Sequence, residues 1–455
     1  MTDLSNIVKA YDVRGTVPDQ LSPEIAKALG AAFARFAGAS TVVIARDMRE
    51  SGVALGAAFA EGVTQQGVDV VDAGLGSTDL LYYAAGSMDV PGAMLTASHN
   101  PAQYNGIKLC LAGAKPVGQE SGLAEIRADA EKFLDSEVPS AGSPGSVSTR
   151  DVLAAYAAYM KQLVPDLATI APLKVVVDAG NGMGGHTVPT TFAGLPLEVT
   201  EMYFELDGSF PNHEANPIDP ENLRDLQVKV QEVGADIGLA FDGDADRCFV
   251  VDERGQIVSP STLTALIAAR ELAREPGATV IHNLITSRSV PAVVEELGGK
   301  AVRTRVGHSF IKAEMARTGA VFGGEHSGHY YFRENYRADS GLITALVVLE
   351  LLCDSRLPLS ELRKPYERYA ASGEINTEVD NPAAVIERVA GRFESDDRVT
   401  IDRLDGLTVD SGGSGWWFNL RPSNTEPLLR LNLEAPTVEE CQERTAAVID
   451  LIKEG

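Results

Sequence analysis

Gly92-Ala93-Met94-Leu95-Thr96-Ala97-Ser98-His99-Asn100-Pro101 is the stretch around which the chain is organised. Its first four residues make a short apolar strand, and the next six are small or polar and end on proline. One hydroxyl, that of Ser98, is thus presented where a strand stops. In open α/β sheets, ligands bind in the loops at the carboxyl ends of strands. Ser, Asn and Pro also form turns for backbone reasons alone, so the weight given to Ser98 depends on what the other loops contain.

Upstream of this stretch, residues 41–45 and 68–71 read as strands, and 52–66 and 79–85 as helices. Strands alternating with helices indicate βαβ units. Nearer the N-terminus, Tyr11-Asp12-Val13-Arg14-Gly15 reads as a polar loop. Ser22-Pro23 then starts a helix, with serine as N-cap and proline in the first turn. Downstream, Ser140-Ala141-Gly142-Ser143-Pro144-Gly145-Ser146 reads as a linker.

The same order recurs. After a helix over 151–163, a strand at 174–177 leads into Asp178-Ala179-Gly180-Asn181-Gly182, and further strands follow at 197–202 and 236–241. A third round has strands at 279–283, 300–304 and 320–322, closed by a helix over 340–353. Three modules of one plan are expected, and in each the third strand runs into an unusual loop. These loops begin at Ser98, at Asp242 and at Gly323. The last unit differs, with strands near 399–403, 407–409, 415–420 and 428–433. Its final helix carries Thr437 and Glu440 in a capping-box pattern, which predicts a smaller α+β domain.

A length of 455 residues predicts three or four domains. The formal charge of -25, from 64 acidic against 39 basic residues, argues against nucleic-acid or anionic-membrane partners. Cys110, Cys248, Cys353 and Cys441 are scattered and form no CxxC pair, so neither a zinc knuckle nor a disulfide framework is expected. The N-terminus lacks a charged segment followed by an apolar one, and no apolar run is long enough to span a bilayer. A cytoplasmic location is the expectation.

The second loop, Asp242-Gly243-Asp244-Ala245-Asp246-Arg247, places three carboxylates at spacing two among small residues, so that they can converge on one hard cation such as Mg2+. An EF-hand would add Glu253 at position twelve. It needs glycine at position six, where Arg247 stands, and helical flanks, whereas these flanks read as strands. A phosphotransferase loop with Asp242 as the nucleophile is a second alternative. In the third loop, Glu325 and Ser327 can bond vicinal hydroxyls. His326 and His329 lack the further soft ligand that zinc requires. His329 is either a general acid/base or a hydrogen-bonded core histidine. A fourth loop, Arg421-Pro422-Ser423-Asn424-Thr425-Glu426-Pro427, gathers one guanidinium, two hydroxyls and an amide that can wrap a phosphate. A hydroxyl, a cation site, a sugar-binding group and a phosphate-binding group together suit phosphoryl transfer on a phosphosugar. A phosphosugar-binding protein without activity is the alternative from another class.

On these four motifs, residues 96–101, 242–247, 324–329 and 421–427, the chain resembles the α-D-phosphohexomutases, the phosphomannomutase/phosphoglucomutase family, over essentially its whole length. The resemblance implies three related α/β modules with mixed sheets between helices. A smaller TBP-like α+β domain would follow at the C-terminus, all around a central cleft. Domains are expected at 1–145, 150–253, 254–367 and 368–455.

It further implies that Ser98 is carried as phosphoserine and, with Asp242, Asp244 and Asp246, holds Mg2+. Arg247, Arg14 and Lys108 would surround the reacting phosphate, Tyr11 would shape the site, and His99 would support the serine loop. Glu325, Ser327 and His308 would contact the sugar. His329 or Lys108 would act in acid/base roles, and Arg421, Ser423, Asn424 and Thr425 would hold the other phosphate.

The implied reaction interconverts mannose 6-phosphate and mannose 1-phosphate, and the glucose pair as well. It would run through a hexose 1,6-bisphosphate, with domain movement as the intermediate turns over. Small phosphosugars are then the partners, and the protein a monomer or dimer. One departure stands out. Some bifunctional members carry a lysine ahead of a Ser/Thr-Arg pair in the third domain, where this chain reads Asn283-Leu284-Ile285-Thr286-Ser287-Arg288. The resemblance therefore carries no ligand contact over to that loop.

Overall fold

A computed structural model describes residues 2–136, 138, 140–169, 171–413, 415–422 and 428–454. The backbone divides into two compact units. One comprises Met1–Ser259, Met315–Phe322 and Ser327–Leu362, the other Pro260–Glu314, Gly323–His326 and Arg363–Gly455.

In the first unit, buried apolar strands build two mixed sheets. The first runs in the order Val13–Thr16, Tyr104–Leu111, Gly92–Leu95, Thr41–Arg46, Asp69–Leu75, Val147–Thr149. Thr41–Arg46 lies parallel to both Asp69–Leu75 and Gly92–Leu95, as βαβ crossovers require. Gly92–Leu95 then turns back antiparallel onto Tyr104–Leu111, so residues 96–103 are the connection of a hairpin. The second sheet repeats this plan. Leu173–Asp178 is parallel to Leu197–Met202 and to Ile237–Phe241, and Ile237–Phe241 pairs antiparallel with Cys248–Asp252 across residues 242–247. The Ser98 and Asp242 loops therefore both sit where a parallel strand meets its antiparallel neighbour.

Helices cover these sheets. Ser22 caps Pro23–Ala37 by accepting from the Ile25 N–H. That helix crosses Ser51–Gln65 at backbone distance, since a Cβ on Gly62 would lie 2.0 Å from the Lys27 carbonyl oxygen. Phe33, Phe59, Leu29 and Leu55 fill the layer between these helices and the sheet.

Three elements differ from the sequence expectation. Residues 13–16 form an edge strand, with Arg14 opposite Gly106. Tyr104–Leu111 is a full strand, buried at all six interior residues, and not merely a source of site residues. The stretch 140–146 is pinned: Ala141 and Gly145 donate to the Gln65 and Thr64 carbonyls, Ser146 bonds Asp69, and Val147–Thr149 adds to the sheet edge. Its Ser/Gly/Pro composition concealed a strand that is exposed at every residue.

In the second unit, Thr279–Asn283 and Lys300–Thr304 pair in parallel beside the helices Pro260–Arg274 and Ser289–Glu296. The C-terminal sheet is antiparallel, in the order Ala370–Glu378, Leu428–Ala435, Trp417–Pro422, Leu407–Asp410, Thr400–Asp402. Helices Pro382–Gly391 and Val438–Lys453 bury Val385, Val389, Val448 and Ile452 in one core with Phe418, Leu420 and Leu431. Thr437 caps the last helix by accepting from the Glu440 N–H at 3.2 Å. Ala370–Glu378 was not anticipated, because it is mostly polar and broken by a register shift between Ala371 and Glu374.

One loop of the first unit carries a titratable latch. His213 Nε2 lies 2.9 Å from Asp178 Oδ2 and its Nδ1 2.9 Å from the Glu214 carbonyl, so both ring nitrogens face acceptors. Burial disfavours the charged ring, but the Asp178 carboxylate outweighs it and raises the pKa above 6.5. A raised folded-state pKa gives stability that is fully present below the unfolded value and lost as pH rises through the folded one. Melting curves of His213→Gln should therefore show a deficit of roughly 2–4 °C at pH 6 that shrinks by pH 9. A deficit constant across that range would mean that the ring acts only by packing.

Candidate active site

Ser98 adopts φ 50°, in the left-handed region that a serine seldom enters. The turn is fixed locally by the Ser98 N–H donating to Thr96 Oγ1 at 2.8 Å. Its carbonyl oxygen lies against Gly243, where a Cβ would approach to 2.4 Å. Glycine is thus required at that position, and the serine and aspartate loops interlock. The Ser98 hydroxyl donates to Asp242 Oδ2 at 2.7 Å.

Asp242, Asp244 and Asp246 are buried, with one carboxylate oxygen from each within 4.8 Å of the others. Asp244 Oδ1 and Asp246 Oδ1 are buried without a hydrogen-bond partner. Three oxygen donors, two of them with unfilled lone pairs, suit a hard divalent cation. Glu253, which an EF-hand would use at its twelfth position, is spent on the Ser360 N–H and hydroxyl, and strands flank the loop as the sequence predicts.

Cations crowd the carboxylates. Lys108 Nζ is 2.6 Å from both Asp244 Oδ2 and Asp246 Oδ2. Arg247 Nε donates to Asp242 Oδ2 at 2.8 Å, and its Nη2 reaches Ser98 Oγ at 3.4 Å. Burial alone would neutralise these groups, but the opposite charges prevail for Lys108, whose pKa stands well above its ordinary value. Burial acts likewise on Asp246, yet Lys108 and His329 hold it well below the carboxylate range. Asp242 goes the other way, since burial and its two acidic neighbours outweigh Arg247.

His99 has its Nδ1 against Arg247 Nη2 and 3.2 Å from Ser98 Oγ. Burial and the adjacent Arg247 push its pKa well down, so the ring is neutral and its Nδ1 lone pair faces the guanidinium. It is therefore poorly placed to serve as a base for Ser98. Arg14 bonds Asn100 Oδ1 and Asp12 at 2.5 Å each, at the edge of the serine loop. Tyr11 is half-buried beside Asp12.

His329 comes to the same place from the third module. Its Nε2 is 3.5 Å from Asp246 Oδ1 and 4.0 Å from Asp339 Oδ2, and its Nδ1 is 2.9 Å from Ser327 Oγ. Burial lowers its pKa, but Asp246 more than restores it, so the ring gains a proton readily. Ser327 thus touches His329, and both belong to the first unit.

The remaining candidates belong to the second unit. Glu325 is buried, and its Oε1 accepts from Asn283 Nδ2 at 3.0 Å and the Gly307 N–H at 3.2 Å. His308 begins the helix His308–Thr318 directly after Gly307. Arg421 Nη2 is 3.2 Å from Glu374 Oε2, on the strand that the sequence did not reveal. Ser423, Asn424 and Thr425 lie outside the described residues. Arg288, in the loop lacking the family lysine, pairs with Asp410 and donates to the Gly415 carbonyl at 2.8 Å, tying its loop to the C-terminal sheet.

Several residues around the site were not anticipated. Thr78 bonds Asp244 twice, from its N–H to the carbonyl at 3.0 Å and from its hydroxyl to Oδ2. Asp79 behind it is pushed up to about 7 by burial, against bonds from Ser340 and Ser77. Arg49 and Asp47, also unforeseen, follow the strand Thr41–Arg46. An Asp-x-Arg at the carboxyl end of a buried strand was the available signal.

This arrangement, with a serine hydroxyl on a carboxylate triad ringed by two cations and a histidine, is one that can hold and pass an anionic group. The chain belongs to the phosphoglucomutase/phosphomannomutase family. It matches alpha/beta/alpha domain I over residues 5–135, domain II over 154–255, domain III over 259–369 and the C-terminal domain over 374–451. Among its relatives is the phosphomannomutase of Salmonella typhimurium, 40% identical over 438 residues and 94% of each chain. A Xanthomonas campestris protein named for phosphohexose mutases is 41% identical over 430 residues and 94% of each chain. The crystal structure of a phosphoglucomutase/phosphomannomutase family protein from Burkholderia thailandensis superposes with a TM-score of 0.89 at 33% identity, covering 100% of this chain and 99% of that one.

Proposed function

We propose that the protein interconverts mannose 6-phosphate and mannose 1-phosphate, and the corresponding glucose phosphates, with Ser98 as phosphoryl carrier. The observation that carries this is the Ser98 hydroxyl bonded to Asp242 within the carboxylate triad, beside Arg247. The mannose preference is supported by the names of the relatives at about 40% identity. Asp242, Asp244 and Asp246, with the Ser98 phosphate, would hold Mg2+, which when bound would neutralise charge on the transferring group.

In the forward half-reaction a sugar hydroxyl attacks the phosphorus on Ser98. The new P–O bond forms as the bond to Oγ breaks. The hydroxyl proton passes to His329, and the departing Oγ takes up a proton in turn. Lys108, held as the ammonium by Asp244 and Asp246, can serve only in the acid role. Hexose 1,6-bisphosphate results. In the return half, the other phosphate passes to Oγ, so no net phosphate is consumed. Arg247, Lys108 and Arg14 stabilise the anionic oxygens, His99 and Tyr11 shape the loop, and Glu325, Ser327 and His308 bind the sugar. Arg421, Ser423, Asn424 and Thr425 hold the resting phosphate.

The same proposal includes domains at 1–145, 150–253, 254–367 and 368–455, a cytoplasmic location, and a monomer or dimer. Among the described residues no helix is long and apolar enough to cross a membrane.

Isomerisation of the 1-phosphates of mannose, glucose, glucosamine and N-acetylglucosamine, assayed side by side with Mg2+ and bisphosphate, tests the substrate. Mannose and glucose should lead, with kcat/KM at least about 10-fold above the amino sugars. Glucosamine in the lead would identify a phosphoglucosamine mutase instead. Binding without isomerisation of any would favour a non-catalytic phosphosugar-binding protein.

A further inference from the structure

Arg49 has no part in the chemistry above, yet it is 1% exposed and every polar atom of its side chain faces the serine loop or its own partner. Nη2 donates to the Ser98 carbonyl at 2.9 Å and the Asn100 carbonyl at 2.6 Å. Nη1 donates to the Pro101 carbonyl at 2.8 Å and the Tyr104 carbonyl at 2.9 Å. Nε lies 3.3 Å from Asp47 Oδ2, and the Asp47 Oδ1 accepts the Arg49 backbone N–H at 2.9 Å. The Phe210 ring, from the second module, stacks over the guanidinium with its centroid 5.1 Å from Cζ.

The geometry follows from the loop's shape. A turn that carries Ser98 at φ 50° points the carbonyls of residues 98, 100, 101 and 104 toward the buried Arg49 guanidinium, that of Ser98 fully buried and the others partly so. Buried carbonyls need donors. Four acceptors around one point can be served together only by a planar, forked cation; a lysine ammonium has three donors and no plane. Opposite Arg49, the Ser98 carbonyl meets Gly243, so the serine backbone is held between module one and module two.

We infer that Arg49 is a positioning residue for phosphoryl transfer, a buried guanidinium template that holds the Ser98 loop so that Oγ returns to the same place beside Asp242 in both halves of the cycle. This rests on Ser98 being the phosphoryl carrier. Because Arg49 acts through the loop and leaves the sugar contacts alone, its loss falls on the transfer step and spares substrate binding.

The test compares Arg49→Lys and Arg49→Ala with the wild type and with Ser98→Ala. It measures kcat and KM for mannose 1-phosphate, melting temperature, and Ser98 phosphorylation by glucose 1,6-bisphosphate followed by intact mass. For Arg49→Lys, kcat should fall by about 30-fold or more while KM stays within about threefold, and the phosphorylation rate should fall in parallel. Guanidinium at tens of millimolar should restore Arg49→Ala by roughly fivefold or more where ammonium does not, since only the former reproduces the fork.

An Arg49→Lys enzyme with kcat within threefold of wild type, or with its loss confined to KM, overturns the inference. If both Arg49 variants fail to fold, Phe210→Leu decides, because it leaves the guanidinium and removes the ring stacked on it. A loss of about 3- to 10-fold in kcat at unchanged KM supports the role, and wild-type kcat refutes it. Ser98→Ala separates the two failures. If it remains active, the carrier assignment falls; if it is dead while Arg49→Lys is fully active, only the positioning role falls.

Discussion

Ser98→Ala should lose at least about 10³-fold in kcat, with hexose 1,6-bisphosphate and Mg2+ both supplied, while melting close to the wild type. The two expectations come from the same contacts. Asp242 Oδ2, which accepts the serine hydroxyl at 2.7 Å, also accepts Arg247 Nε at 2.8 Å. Removing the hydroxyl therefore orphans no carboxylate, and the cost is about 1 kcal/mol for one hydrogen bond. The carbonyl of residue 98 keeps its bond from Arg49, and the turn keeps its bond to Thr96 Oγ1. Turnover has no such alternative, since one oxygen must both give and take the phosphoryl group. Substantial residual activity would place the carrier elsewhere, and Asp242 is then the nearest candidate nucleophile. The mass of the labelled enzyme after acid and after alkali distinguishes them, because phosphoserine survives acid far better than an acyl phosphate.

How much of this was legible in the sequence depends on what each residue does. Ser98, the three aspartates and Arg247 occupy short, unusual loops after strands of clear apolar pattern, so both their identity and their neighbourhood could be read. The alternation of elements likewise led to the right modules, with the Ser22 and Thr437 caps in place. The failures share a cause. Val13–Thr16, Val147–Thr149 and Ala370–Glu378 are sheet-edge strands with mixed or exposed faces. Such strands are specified by the partner they join more than by their own composition. Arg49 was missed for a related reason. A buried arginine is legible only once its acceptors are known, and those acceptors are carbonyls some fifty residues away. The pairings of Glu325 with Asn283 and of Arg421 with Glu374 are equally non-local, so spacing could nominate the residues without revealing what holds them.

Stripping divalent metal should silence the enzyme and lower its melting temperature. The carboxylates of Asp242, Asp244 and Asp246 face the two cations Lys108 and Arg247, so the third negative charge in this buried cluster is compensated only while the His329 ring beside Asp246 carries a proton. Asp244 Oδ1 and Asp246 Oδ1 also stand without hydrogen-bond partners, and buried oxygens in that condition are costly. A divalent ion answers both deficits. At a concentration 100 times its Kd it stabilises the fold that binds it by about 2.7 kcal/mol, which corresponds to roughly 5–10 °C in melting temperature. Mg2+ added back after chelation should restore both activity and melting point. Asp246→Asn should lose about 100-fold or more in kcat and most of the Mg2+-dependent shift, since Asp246 also holds Lys108 and His329. Its melting point without metal should drop little, because the same substitution removes one of the three negative charges. Full turnover in chelator, at a metal content far below one ion per chain, would instead make the triad a buried ion-pair network around Lys108, with the transferring phosphate neutralised by Arg247, Lys108 and Arg14 alone.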